Sequence, residues 1–286
     1  MTDSLLEMTY TPESALRHPG QLWRRMVHDL VASRELAWRL FVRNLSAQYR
    51  QSVLGYLWAF LPPIVTTLTF VFLNSQQIMN LSTGDSELPY PAYVMLGTLL
   101  WQGFVDALNS PLKLVVTSKS MLAKINFPRE ALILAGIGEV VFNFSIRLVL
   151  LIVVFAWFRI PLPLTALLAP IGVLAIIALG LMFGILLAPL GVLYQDVQQG
   201  ISILVSLWFF LTPVVYEPPT TWPASLLARL NPVSPLLITT RDMLTTGTLT
   251  DIQGFLVVSG AVLMLLVVGW VLYRLAMPHL IERMGA

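Results

Sequence analysis

Apolar positions fall in long blocks, with charge confined to the gaps between them. Stretches 54–78, 90–112, 131–157, 162–193, 201–215 and 255–275 are almost free of charged residues. A bilayer core roughly 30 Å thick takes about 20 apolar residues of helix, so the pattern predicts six transmembrane helices. The fifth block is short, and is expected either to reach back past Gly200 or to end where the chain turns back toward the membrane. Thirteen of the seventeen lysines and arginines lie in residues 1–50, in 113–129 or after 272. Positive charge marks the cytoplasmic side, so both termini are expected there.

Three polar segments break the pattern in different ways. In RELAWRLFVRNLSAQYR, a helical period puts Arg39, Arg43, Ser46 and Arg50 on one stripe opposite Ala37, Leu40, Phe41 and Leu45. This predicts an amphipathic helix lying in the membrane interface. It reads as a surface anchor, and also as a gate for an anionic lipid headgroup, because guanidinium forks match phosphate. In KLVVTSKSMLAKINFPRE, four cations surround a short apolar core, and Pro128 ends any helix and holds Phe127 extended. Such a helix rests on the membrane or inserts into a soluble partner. The last outer loop, EPPTTWPASLLARLNPVSPLLITTRDMLTTG, is apolar but cut by prolines. Pro223 and Pro235 suit first helical positions and Gly247 a helix stop, predicting short helices at 223–230 and 235–245. Helices too short to cross must dip into the outer leaflet, with their ends buried in protein or lining a cavity.

Composition agrees with a membrane protein: 57% of the 286 residues are hydrophobic and 11% charged, against about 25% charged in soluble domains. The first 50 residues hold seven arginines and five acids without the apolar core of a signal peptide, so they are expected to remain cytoplasmic. The absence of cysteine excludes disulfides and thiol catalysis. His18, His28 and His279 lack metal-binding spacing, and no glycine-rich phosphate loop precedes Lys113, Lys119 or Lys124. The chain is therefore expected to be neither an ATPase nor a metalloenzyme, and nothing points to nucleic acid.

Asp106, Glu139 and Arg147 fall inside predicted spans. Ionisable groups there must face protein or water, either to satisfy a neighbouring helix or dimer partner or to relay ions. The latter would need further acids that the spans lack. Aromatic residues crowd the span ends, as in an interfacial belt. Tyr56 and Phe60, one helical turn apart, and Trp208 are candidates to line a conduit instead, since aromatic faces stack on sugar rings without trapping them.

Three stretches, taken together, resemble the transmembrane subunit of ABC-2 type polysaccharide exporters, the family that exports O-antigen, capsule and teichoic acid. YRQSVLGYLWAFLPP is similar to that family's YR-x-S-x-L-G-x-L-W passage into its first span, matching at Tyr49, Arg50, Ser52, Leu54, Gly55, Leu57 and Trp58. SMLAKINFPREAL is similar to its K-x-x-FPRE segment at Lys124, Phe127, Pro128, Arg129 and Glu130. YQDVQQGISILVSLWFFLTPVVY and LNPVSPLLITTRDMLTTG resemble its final third, with Gln195 replacing an expected arginine.

The resemblance implies an all-α, six-span ABC-2 fold with an interface helix within 1–50, a transmembrane domain at 51–276 and a cytoplasmic tail at 277–286. It implies a homodimeric channel in the bacterial cytoplasmic membrane. Two copies of a separate ATP-binding subunit, carrying ATP and Mg, would drive export of a polyprenyl-diphosphate-linked polysaccharide. Within segment 113–129, Ser118, Lys119, Met121, Leu122, Lys124 and Phe127 would couple to that ATPase. Segment 217–248 would form outer gate helices bearing Trp222, Arg229 and Arg241, and Arg39, Arg43 and Arg50 would contact the diphosphate. Two alternatives are export of a small lipid or drug, and a membrane glycan transferase using Asp85, Glu87, Glu217, Asp242 and Asp251.

Overall fold

The computed structural model describes residues 19–50, 53, 55–79, 88–124, 127–194 and 196–285. Ser52, Leu54, Asp85, Glu87, Gln195 and residues 1–18, including His18, lie outside them. The described residues are mostly helical, with no strand among them. The helices are α1 (Pro19–Ala32), α2 (Arg34–Arg50), α3 (Leu61–Ser75), α4 (Tyr90–Thr117), α5 (Lys119–Lys124), α6 (Glu130–Phe158), α7 (Ala169–Leu193), α8 (Asp196–Leu211), α9 (Ala224–Leu230), α10 (Val233–Leu244) and α11 (Ile252–Gly285). Short 3-10 turns precede α3, at Gly55–Ala59, and α7, at Leu164–Leu168.

Each apolar block contains one helix: α3, α4, α6, α7, α8 and α11 in order. Three stretches are long and apolar enough to cross a bilayer, Glu130–Phe158, Leu164–Leu193 and Ile252–Leu280; Leu61–Ser75 and Asp196–Leu211 are shorter apolar helices. Helix α4 is different in kind. It carries Gln102, Asp106, Asn109, Ser110 and Lys113, and it is the hub of the fold, packed by α3, α6, α7, α8 and α10. Ala92, Val94, Leu96, Phe104, Ala107, Leu112 and Val115 are wholly enclosed along its length.

Close approach of α7 to α4 depends on small residues. A Cβ on Gly180 would lie 2.5 Å from the Phe104 carbonyl oxygen, and one on Gly184 would lie 2.4 Å from that of Leu108. The two glycines, four residues apart, form a small-xxx-small face that lets helix backbones touch in lipid, where dispersion and interhelical polar contacts replace the hydrophobic effect.

Proline positions account for several boundaries that differ from expectation. Pro62 and Pro63 occupy the first turn of α3, where missing N–H groups cost nothing, so they start a helix rather than bend one. Gly55 adopts a left-handed φ of +50°, with nothing within 4 Å of a hypothetical Cβ, so its value is conformational rather than a close helix approach. The fifth apolar block reaches back to Asp196 and stops at Leu211, because Pro213 disfavours a helical Thr212. Beyond it the chain folds back, and the Tyr216 hydroxyl donates to the Phe210 carbonyl at 2.8 Å. Helix α9 starts one residue after Pro223, and α10 starts at Val233 rather than Pro235. Asn231 Oδ1, just before the N-cap Pro232, accepts the Val233 N–H at 3.0 Å, which satisfies the first N–H of a helix that starts early. Pro235 then falls in the first turn, where no N–H is needed.

Candidate functional site

Helix α2 shows how the arginine stripe is presented. Ala37 and Leu40 are buried against α6, while Arg39, Arg43 and Arg50 are exposed. A polar anchor fixes the docking: Asn44 Nδ2 donates to Glu139 Oε1 at 2.9 Å. Beside it, the Phe41 ring lies over Gly138, 3.1 Å from where a Cβ would sit. Arg39 pairs with Glu35 one turn earlier at 2.6 Å, an exposed contact of the kind worth at most about 1 kcal/mol. Arg43 donates to Asn44 Oδ1 at 3.0 Å. The three arginines thus form one solvent-facing row on a helix tied to a span. Asn44 itself gave no sequence signal beyond being polar at the edge of the apolar face.

The other ionisable residues of the spans also pair within the chain. Arg147 on α6 donates to Asp106 on α4 at 2.6 Å and to the Ala59 carbonyl at 3.2 Å. Gln102 supports the same carboxylate at 3.1 Å. This network joins α4, α6 and the turn preceding α3, which fits a structural role better than a relay.

The expected conduit residues keep different company. Tyr56, half-exposed, stacks at 6.1 Å from Phe142. Trp208 instead packs edge-on to Phe104 at 5.3 Å and Phe183 at 5.6 Å, and its Nε1 donates to Asn231 Oδ1 at 2.9 Å. Its indole is part of the packing that ties α8 to the loop around α9. Phe60 is half-buried and occupies the cap position of α3.

The coupling segment divides by face. Ser118 is 5% exposed and Leu122 6%. The Ser118 carbonyl accepts the N–H groups of Met121 and Leu122 at 3.0 and 2.9 Å, and Leu122 joins a cluster with Tyr273 and Met277 of α11. Both side chains face the chain's own interior, contrary to the expected outward role, because six residues of helix still bury one side. Lys124 is exposed, and Lys119, Met121 and Phe127 are half-buried. Next to this segment, Arg274 of α11 donates to Glu130 at 2.8 Å and to Asp29 of α1 at 2.5 Å.

Around α9 and α10 the chain lines a half-open cleft of about 660 Å³. Arg229, exposed, and Arg241, 4% exposed, both line it; Trp222 stands away from it, 80% exposed and joined to Pro223 by a cis peptide bond. The Arg241 guanidinium lies 3.8 Å from the Tyr93 ring centre and donates to the Val214 carbonyl at 2.7 Å. Thr250 donates to Asp242 through its N–H at 3.0 Å and its hydroxyl at 2.5 Å. Burial pushes the Asp242 carboxyl above its usual range, against those hydrogen bonds, which favour the charged form.

Comparison with known proteins identifies the family. Residues 35–245 match the family described as ABC-2 type transporter. The O-antigen export system permease protein RfbA of Myxococcus xanthus is 31% identical over 221 residues, covering 74% of this chain and 81% of that protein. Two proteins of the same name from Klebsiella pneumoniae are 24% and 23% identical, each over 72% of this chain and 79% of its own length. The matched region runs from the start of α2 to the end of α10, and on this footing the chain belongs to the ABC-2 type transporters.

Proposed function

We propose that the chain is the channel-forming permease subunit of an exporter that moves a polyprenyl-diphosphate-linked polysaccharide, such as O-antigen, across the bacterial cytoplasmic membrane. The observation that carries this reading is the 31% identity to an O-antigen export permease over 74% of the chain. Six helices, α3, α4, α6, α7, α8 and α11, cross the bilayer, with α4 shielded from lipid by the others and both termini cytoplasmic. The chain works as a homodimer with two copies of a separate ATPase that binds ATP and Mg.

The geometry supports a division of labour along the molecule. The row Arg39, Arg43 and Arg50 offers bidentate donors to a diphosphate at the cytoplasmic interface, and the Asn44–Glu139 bond keeps that row at the edge of α6. Lys124, with Lys119, Met121 and Phe127, presents the face that docks the ATPase. Helices α9 and α10 dip into the outer leaflet and gate the exit, their ends held by Asn231 and Arg241. Deleting the gene should strand finished polymer in the cytoplasm; normal surface polysaccharide in the deletion strain would sink the proposal. Loss of resistance to a drug, with surface polysaccharide intact, would instead identify a small-molecule exporter of the same fold.

A further inference from the structure

Helix α1 precedes the matched residues 35–245, and the export reading leaves it without a role. Its fourteen residues, PGQLWRRMVHDLVA, use only part of their apolar side to pack on the protein. On a helical period, Leu22, Met26, Asp29 and Leu30 turn inward: Met26 is wholly enclosed and the others are half-buried. Trp23, Val27 and Val31, spaced four residues apart, form a second apolar line beside the first, yet they are 48%, 41% and 56% exposed. Arg24 borders that line, and Gln21, Arg25 and His28 occupy the far side, all of them exposed.

The neighbouring surface says what covers the exposed line. The Trp23 ring stands edge-on to that of Trp270, 5.9 Å away, and Trp270 belongs to Ile252–Leu280, a stretch long and apolar enough to cross a bilayer. On that same helix Val267, Val268 and Leu272 are exposed, as side chains facing lipid would be. One turn beyond Trp270, Arg274 bonds to Asp29. The two contacts fix α1 where the apolar stretch of α11 gives way to charge, a level that suits the amphipathic indole. The exposed line of α1 thus continues the apolar surface of α11. Charge points the same way: Asp29, the one acid of α1, faces Arg274, so the exposed side carries only the basic groups of Arg24, Arg25 and His28. An apolar line bordered by arginine is the pattern of a helix lying in a membrane surface.

We infer that α1 lies half-sunk in the cytoplasmic leaflet, with Trp23, Val27 and Val31 among the upper acyl chains and Arg24 at the headgroups of anionic phospholipids. The inference rests on the bilayer crossing of α11 and the cytoplasmic termini of the reading above. Because Arg274 also bonds to Glu130 at the start of α6, this leaflet contact braces the ends of two spans beside the coupling segment.

The chain has no cysteine, so single spin labels can be placed on the full-length protein in nanodiscs of phosphatidylcholine, alone or mixed with phosphatidylglycerol. Labels on Val27→Cys and Val31→Cys should collide with oxygen, which concentrates among acyl chains, several-fold more than with a water-soluble nickel chelate. A label on His28→Cys should show the reverse preference. Phosphatidylglycerol should raise the oxygen preference at Val27 by attracting the basic side chains, and adding Arg24→Gln should lose that rise. Labels at Val27 and Val31 as open to the chelate as the one at His28 would place α1 in water. Labels shielded from both reagents would place a protein there, whether the ATPase subunit, a second copy of this chain or residues 1–18. Either result, or an oxygen preference indifferent to phosphatidylglycerol, overturns the inference and leaves export standing. A label on exposed Val268→Cys that meets the chelate would overturn the span and the leaflet contact together, whereas normal surface polysaccharide in the deletion strain would overturn export alone.

Discussion

Asn44 and Glu139 are 95 positions apart in sequence, yet the amide of one donates to the carboxylate of the other at 2.9 Å, fastening α2 to α6. Removing the donor leaves a buried acceptor unmatched, at a cost of about 1–3 kcal/mol. Asn44→Ala should therefore lower the thermal midpoint of the purified protein and reduce export. Glu139→Gln keeps an accepting oxygen and should retain most of both, whereas Glu139→Leu should behave like Asn44→Ala. Equal behaviour of the Gln and Leu variants, read by fluorescence-detected melting, would remove the anchor role.

The arginine row calls for a different signature. Arg39, Arg43 and Arg50 are exposed, and the Arg39–Glu35 pair adds little to stability. Replacing them with alanine should leave expression and melting close to wild type while surface polysaccharide falls, most for Arg50→Ala. Normal export by Arg50→Ala would remove that residue from the loading site.

The Arg147–Asp106 pair is a buried ion pair, with side chains 7% and 21% exposed. Breaking such a pair from one side costs about 3–5 kcal/mol, because it strands the other charge, whereas replacing both partners with apolar residues is often neutral. Asp106→Leu alone should abolish accumulation in the membrane, and Asp106→Leu with Arg147→Met should restore it. Quantitative blotting of membrane fractions measures both. A double variant that accumulates but no longer exports would give the pair a part in transport beyond packing.

Within the coupling segment, burial separates two phenotypes. Lys124→Glu should leave the protein abundant but reduce ATP hydrolysis by the assembled transporter, several-fold more than the same charge reversal at half-buried Lys119. Leu122→Ser should instead reduce protein abundance, because Leu122 packs against Tyr273 and Met277. Unchanged ATPase activity in the Lys124→Glu complex would move the docking surface elsewhere.

Gly180 and Gly184 leave no space for a side chain: the obstructing atoms are backbone carbonyl oxygens at 2.5 and 2.4 Å. Overpacking a tight contact costs about 1–3 kcal/mol. Gly180→Leu and Gly184→Leu should each lower the melting temperature of the purified protein, while Gly200→Leu, where a Cβ meets nothing within 4 Å, should not.

Positions of the helices were legible because lipid solubility leaves a one-dimensional trace: six apolar blocks became six helices with boundaries shifted by up to ten residues. One shift was also readable. Pro213 marks the end of α8. The pairing of Arg147 with Asp106, and of Glu139 with Asn44, was not readable, since partners 41 and 95 residues apart are chosen by how helices pack. The arginine stripe of α2 could be drawn from periodicity alone because seventeen residues span almost five turns. The six residues of α5 are fewer than two turns, so Ser118 and Leu122 could not be told from their outward neighbours. The contacts of Trp208 with Phe104, Phe183 and Asn231 were not readable either, since an aromatic at the end of an apolar block has the same sequence appearance whatever it packs against.

The glycine contact between α4 and α7 has a mechanical corollary. Side chains can change rotamer and let helices slide; carbonyl groups set directly against a glycine face have no such freedom. The two helices therefore have one way to meet and travel as a single beam. Any widening of the protein during a transport cycle must be taken up at its perimeter, where α2, α3 and α8 touch the rest through replaceable side-chain contacts.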